Sequence, residues 1–340
     1  MSLEKFANAQ SPAQPPSQTN RKQLISELQK YMRVDSPFAV KFKKPPAPYR
    51  EKPGLWFEMR VSDSSGELTV RYWGSVDAEK TKQAYNSFSN GDVVWITGTV
   101  KESGEYMEIH IGSDVGDTIR KCAPGEFSID EFVPSLPLEM VEKNVSEFNR
   151  IIRTVKNPEI MKVLEAFFAD PSFMEKFKWA PGAMQLHHAY RGGLLEHTIH
   201  VARICISVSE LYPELDRDLM VAGALLHDIG KTVEYEVGTS IDVSEEGMLR
   251  GHVVIGEEML RARCQNIDPL VKLKLSHVIL SHHKEGEYGS PKKPQLPESM
   301  VIYFADDCDA KAYQMLRIKE TAKTEDAWAW DKHIGHVYLK

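Results

Sequence analysis

The apolar period of this chain changes once, near Gly125, and that change restricts the fold to two unlike parts. From about 54 to 113 the period is two. Leu55, Phe57, Met59 and Val61 alternate with Trp56, Glu58 and Arg60. Past a turn at Asp63-Ser64-Ser65-Gly66, Leu68, Val70 and Tyr72 alternate with Thr69, Arg71 and Trp73. Such alternation sends one face of a strand into a core and leaves the other outside. Beyond Gly125 the apolar residues return at helical spacing. Met140, Val141, Val145, Phe148, Ile152 and Val155 form one stripe; Ile160, Val163, Leu164, Phe167 and Phe168 form another after Asn157-Pro158. From there to about 323 the pattern is nearly all helix, with one short hairpin expected at 233–243.

At 340 residues the chain is long enough for a core in each part. In the first, a hairpin, a short helical stretch (Asp77 to Phe88) and a second hairpin suit a five-stranded OB-type barrel. The expected organisation is a disordered tail over 1–20, rich in Pro and Gln, and an OB-type domain over 21–125. A linker and helix over 126–158, an all-α domain over 159–325 and a C-terminal tail over 326–340 follow. The segment 21–52 is basic: Arg21, Lys22, Lys30, Arg33, Lys41, Lys43, Lys44, Arg50 and Lys52 face three acids. It reads equally as a solvated linker or as a phosphate-contacting arm.

The net charge of -7 argues against wholesale coating of nucleic acid, though not against a local basic groove. No apolar run approaches the ~18 residues of a membrane span, and residues 1–10 lack a signal-peptide core. No membrane partner is expected. Cys122, Cys205, Cys264 and Cys308 never form C-x-x-C and read as reduced, mostly buried thiols of a cytoplasmic protein.

Eleven of the twelve histidines lie beyond residue 186. His227 and Asp228 end a core helix, where a bare carboxylate is costly to bury. A metal ion would satisfy both. Imidazole with carboxylate suits Mn, Fe, Zn or Ni without a thiolate. His197 and Asp306 would complete one site; His252 and His282 could hold a second ion, with Asp228 bridging the two. A lone histidine on an apolar helix is more often a hydrogen-bonded core residue, but six such candidates together argue for metal. Two cations favour attack at phosphorus. Lys231, beside Gly230, which reads as a helix cap, could steady developing charge or serve the helix dipole. His187, His188 and Arg191 could reach the same cleft, or could be structural supports.

The order His197, His227-Asp228, Asp306 resembles the HD-domain phosphohydrolase superfamily. The strings HHAYRGGLLEHT (187–198), LLHDIGKTVEYE (225–236), LRGHVVIGEEML (249–260), ILSHHKEGEYGSP (279–291) and ADDCDAKAY (305–313) resemble the YhaM-type 3′–5′ exoribonucleases. That family also joins an OB barrel to an HD domain, and FVPSLP (132–137) fits its linker. The resemblance covers roughly 50–320. It implies an exonuclease dependent on two divalent ions, Mn foremost, with Fe, Co, Ni or Mg as alternatives. Such an enzyme releases nucleoside 5′-monophosphates from single-stranded 3′ ends of RNA, or of DNA. It also implies His197, His227, Asp228, His252, His282 and Asp306 as ligands, with His283 the alternative to His282. Asp306 is preferred to Asp307 because it stands in an Ala-Asp step; Asp309 then falls on a neighbouring face in a supporting role. The oligomeric state is open, a homo-oligomer included.

OB barrels bind single strands by stacking bases on aromatics, worth ~1–3 kcal/mol per base, above a cationic groove. Trp56, Arg60, Arg71, Trp73, Lys101 and Tyr106 are the candidates, although a Trp in a small barrel is more often packing. The second reading is an HD hydrolase of a small nucleotide such as a dNTP, an alarmone or a cyclic nucleotide. EYGSP lacks the Gly-Tyr-Pro of the cyclic-di-GMP branch. A di-iron oxygenase and a non-catalytic RNA-binding regulator are further alternatives.

Overall fold

The computed structural model describes residues 22–340 apart from positions 105, 185, 287, 288 and 323. The expected disordered tail over 1–20 lies outside the described residues. The chain divides into two compact units, the first ending at Cys122 and the second comprising Ala123–Lys340 together with Asp63–Ser65.

The first unit is a closed barrel. Its strands are β1 (Arg33–Lys43), the short β2 (Ala47–Pro48), β3 (Leu55–Asp63) and β4 (Gly66–Trp73), then β5 (Val93–Ser103), β6 (Tyr106–Gly112) and β7 (Thr118–Lys121). The helix α1 (Ala78–Asn86) links β4 to β5, capped by Asp77, whose side chain accepts from the Glu79 and Lys80 amides. The path runs β1-β3-β4-β6-β5 and closes through β1–β5, with β4 and β6 parallel. This is the five-stranded OB arrangement. Phe38, Phe57, Met59, Val70, Ile96, Ile109 and Ile111 fill the interior.

The sequence pattern missed β1. Pro37 and interspersed charges hide its apolar positions, yet Val34, Phe38 and Val40 are buried. The basic segment is therefore partly a barrel strand rather than an arm. Lys44 pairs with Glu58 at 2.6 Å, and Lys43 donates to the Tyr85 and Phe88 carbonyls.

The second unit holds α2 (Leu138–Ile152), α3 (Pro158–Phe168), α4 (Pro171–Trp179), α5 (Gly193–Leu211) and α6 (Arg217–Leu226). After α7 (Lys231–Glu234) come β8 (Tyr235–Val237) and β9 (Ile241–Val243), the expected hairpin. Then follow α8 (Glu245–Arg263), α9 (Pro269–Ser281), α10 (Pro297–Thr321), β10 (Trp328–Asp331) and β11 (Gly335–Tyr338). Helix α2, expected to belong to a linker, is part of this body: Phe148 and Ile151 share one core with Leu194, Leu225 and Ile279. The expected tail over 326–340 is instead an antiparallel hairpin with Val337 buried. Its four-residue strands are too short to show a period. Among the described residues no helix is long and apolar enough to cross a membrane. Cys122, Cys205 and Cys264 are buried and Cys308 is exposed, and none of the four is in a disulfide among the described residues.

Candidate metal centre

Helix α6 is buried from Leu219 to Leu226, so its C-terminal end lies inside the core. His227 and Asp228 occupy the break between α6 and α7. Gly230, expected to cap a helix, has φ -64 and serves otherwise. A Cβ there would lie 2.0 Å from the His252 carbonyl oxygen. Its bare backbone lets α8 approach. That helix is interrupted at Gly251, whose φ of 69 suits glycine, so His252 opens a fresh helical segment. His282 caps α9 and His283 follows it. His197 comes from α5 and Asp306 from α10.

These residues form two clusters. His197, His227 and Asp306 bring one ligand atom each within 4.8 Å of one another, and so do His252, His282 and His283. Asp228 faces both. Its Oδ2 lies 3.6 Å from His197 Nε2 and 3.3 Å from His227 Nε2. Its Oδ1 lies 3.6 Å from both His252 Nε2 and His282 Nε2. In the first cluster His197 Nε2 stands 3.3 Å from His227 Nε2 and 3.2 Å from Asp306 Oδ1. In the second, His252 Nε2 stands 3.0 Å from His283 Nε2. The turn after α9 brings both His282 and His283 into this cluster.

The other ring nitrogens explain why these faces point inward. Nδ1 of His227 donates to the Ala224 carbonyl and that of His282 to the Ile279 carbonyl, both at 2.8 Å. Nδ1 of His252 donates to Glu234 at 2.8 Å and that of His197 to Asp309 at 2.7 Å. Carbonyl and carboxylate oxygens only accept, so in each neutral ring Nε2 offers a lone pair to the cluster. Apart from His197, which Asp306 and Asp309 hold protonated until metal displaces the proton, nitrogen lone pairs and carboxylate oxygens thus face one another. Asp228 Oδ1 and His282 Nε2 are buried without a hydrogen-bond partner among the described residues. A divalent cation in each cluster would satisfy them, and N/O ligand sets of this kind suit Mn, Fe, Co, Ni or Zn.

The electrostatics agree. Burial opposes charge on Asp228, but Lys231 and His227 beside it hold its carboxyl well below the usual range. Asp306 is depressed likewise by its bond to His197, against burial. Burial pulls His282 down, and with His282 and His252 beside it His283 falls to about 2. Ionised carboxylates with neutral imidazoles are the states a metal requires. His197 differs. Burial would neutralise it, but Asp306 and Asp309 push it up to about 9.

The remaining expected residues separate. The buried Lys231 is pinned between Asp228 Oδ2 at 2.6 Å and the Gly182 carbonyl at 2.7 Å. His187 packs its ring 6.0 Å from that of His197, and burial with Lys231 nearby lowers it to about 4. His188 spends both nitrogens, on the Tyr190 hydroxyl at 2.8 Å and Asp309 at 2.9 Å, so it supports the site rather than reaching into it. Arg191 pairs with Asp130 and stacks 4.6 Å over Trp179, a structural contact away from both clusters. Glu234 was missed, since no spacing rule links it to a histidine eighteen positions on. Asp309 also accepts from His200 at 2.8 Å, so it orients three imidazoles.

On the barrel, Trp56, Arg60, Arg71, Trp73, Lys101 and Tyr106 all occupy outward positions of β3, β4, β5 and β6, opposite the interior set. Trp73 stacks 5.4 Å from Trp56 and 6.1 Å from Tyr49, and His110 meets its edge. Tyr106 is 75% exposed. Arg71 already pairs with Glu108 at 2.9 Å and Arg60 with Glu67 at 3.4 Å. The cations beside the rings are thus partly neutralised.

The HD domain family matches residues 194–311, which contain all the cluster residues. The 3′-5′ exoribonuclease YhaM of Shouchella clausii is 34% identical over 264 residues, covering 76% of this chain and 78% of that protein. The protein of the same name from Bacillus velezensis is 30% identical over 296 residues, covering 85% and 88%. That from Bacillus subtilis is 30% identical over 268 residues, covering 78% and 81%. With an OB barrel preceding a two-cluster HD centre and identity at this level over most of both chains, the chain belongs to the YhaM family of 3′-5′ exoribonucleases.

Proposed function

We propose that this chain is a 3′–5′ exoribonuclease that removes nucleoside 5′-monophosphates from single-stranded RNA with two divalent ions, manganese foremost. The observation that carries the reading is Asp228, one buried carboxylate whose two oxygens face two separate imidazole clusters. When bound, a pair of divalent ions supplies charge neutralisation at phosphorus and an activated water. The protein's own groups do the rest. Asp228 ties the clusters together. Glu234 and Asp309 fix the rings of His252 and His197. Lys231 keeps Asp228 ionised. His187, neutral and without a hydrogen-bond partner among the described residues, is free to donate to a phosphoryl oxygen. Trp56, Trp73 and Tyr106 offer rings for base stacking, and Lys101 a cation on the same outer face of the barrel. Buried cysteines outside any disulfide suit a reducing, cytoplasmic setting.

The test uses 5′-labelled single-stranded RNA with and without Mn²⁺. The wild type should shorten it from the 3′ end and release nucleoside 5′-monophosphates, while Asp228→Ala should not. No shortening in Mn²⁺, Mg²⁺, Co²⁺ or Fe²⁺ would reject the reading.

A further inference from the structure

A groove of about 540 Å³ lies between α2 and α5, outside the two clusters. Lys143, Ser146 and Arg150 line it from α2 at i, i+3 and i+7; Glu196, His200 and Arg203 line it from α5 at i, i+4 and i+7. Each set falls on one helix face, so two faces oppose each other across the space. The charges within it are uneven. Of the two carboxylates, Glu147 is taken by Arg150 and Glu196 by the Tyr190 hydroxyl and His188. Lys143 and Arg203, both exposed, have no carboxylate within ion-pair distance among the described residues. Asn144 also lines the groove, its Nδ2 buried and without a hydrogen-bond partner among the described residues. Two exposed cations without carboxylate partners therefore line one space, and what they lack is an anion. Met140 and Ile199 add apolar wall for a flat group. A volume in this range holds a small ligand.

We propose that this groove binds the phosphate of a nucleotide through Lys143 and Arg203. The choice of ligand rests on the nuclease reading above; the donor geometry does not. The phosphate has two possible sources, a free mononucleotide such as the released product or a linkage of the RNA strand. The position gives occupancy a consequence. His200 on the groove wall donates to Asp309 Oδ1 at 2.8 Å, and Asp309 Oδ2 holds the ligand His197 at 2.7 Å. The groove is thus two hydrogen bonds from a metal ligand.

The experiment uses the full chain loaded with Mn²⁺. Adenosine 5′-monophosphate is titrated by calorimetry, and a fluorescent oligoribonucleotide with 3′-terminal phosphorothioate linkages is titrated by anisotropy. Wild type is compared with Lys143→Ala/Arg203→Ala and with the control Lys162→Ala, an exposed lysine of α3 paired to Glu159. The double variant should bind at least one probe roughly tenfold more weakly. Loss for the mononucleotide alone assigns a product or effector pocket. Loss for the oligonucleotide assigns a strand track, and the salt slope should then fall by about 1.4, from two contacts of about 0.7 each. Affinities for both probes within twofold of wild type overturn the proposal. RNA trimming by the wild type is measured alongside: absent trimming with groove-dependent binding sinks the nuclease reading and leaves the groove standing.

Discussion

At the scale of single residues, the centre is a matter of which nitrogen carries the proton. Glu234 illustrates it: its Oε1 receives the His252 amide at 3.0 Å and its Oε2 the His252 ring. Glu234→Gln keeps the shape but weakens the acceptor. Metal affinity should fall roughly 10–100-fold, as for other outer partners of ligating histidines, with the circular dichroism unchanged; equal affinity by metal titration would remove Glu234 from the site. His197 carries a pH signature. Its folded value of about 9 exceeds the ordinary 6.5. In metal-free protein its stabilisation is therefore complete below about 6.5 and lost as pH rises through about 9. The Tm of metal-free protein should drop between pH 7 and 9.5, and His197→Gln should flatten that drop. Bound metal reverses the sense, because it must displace the proton: metal affinity should rise with pH up to about 9. A metal-free Tm insensitive to pH across that window would contradict the arrangement around His197.

Elements set where these residues meet, and here the sequence was readable in part. The residues His227-Asp228, His197 and Asp306 could be placed on helices because their neighbours are apolar at helical spacing, whereas the break at Gly251 before His252 emerged only from the backbone. Which helices touch was not legible from periodicity. The role of Gly230 shows why: its meaning is a distance to a carbonyl on another helix. The added methyl of Gly230→Ala must push α8 away, so Mn²⁺ affinity and Tm should both fall. Gly238→Ala, with open space around it, should change neither. Calorimetry and metal titration of the pair decide it. Strand β1 was hidden by its charges and Pro37, and β10–β11 by brevity. Likewise the stacking of Trp56 on Trp73 could be guessed as a shared outer face, while the participation of Tyr49 and His110 could not. The ion pairs that occupy Arg60 and Arg71 depend on neighbouring strands, so spacing along one strand could not reveal them.

For the whole molecule, two units with separate cores imply separable duties. Deleting residues 1–122 should cut degradation of long RNA by roughly 10-fold or more, since base stacking contributes ~1–3 kcal/mol per base. Hydrolysis of a small diester such as bis-p-nitrophenyl phosphate should be spared. Equal loss on both substrates would mean that the barrel serves the centre rather than the strand. The two clusters draw their residues from α5, α8 and α10 and from the ends of α6 and α9, and one carboxylate faces both. Asp228 cannot give its full negative charge to two neighbours at once. A first cation that enters either cluster leaves a less attractive partner behind, so loading should proceed in two unequal steps in a Mn²⁺ titration. Turnover would then follow the weaker step, and the enzyme would respond to metal supply over a concentration range set by how one aspartate divides itself.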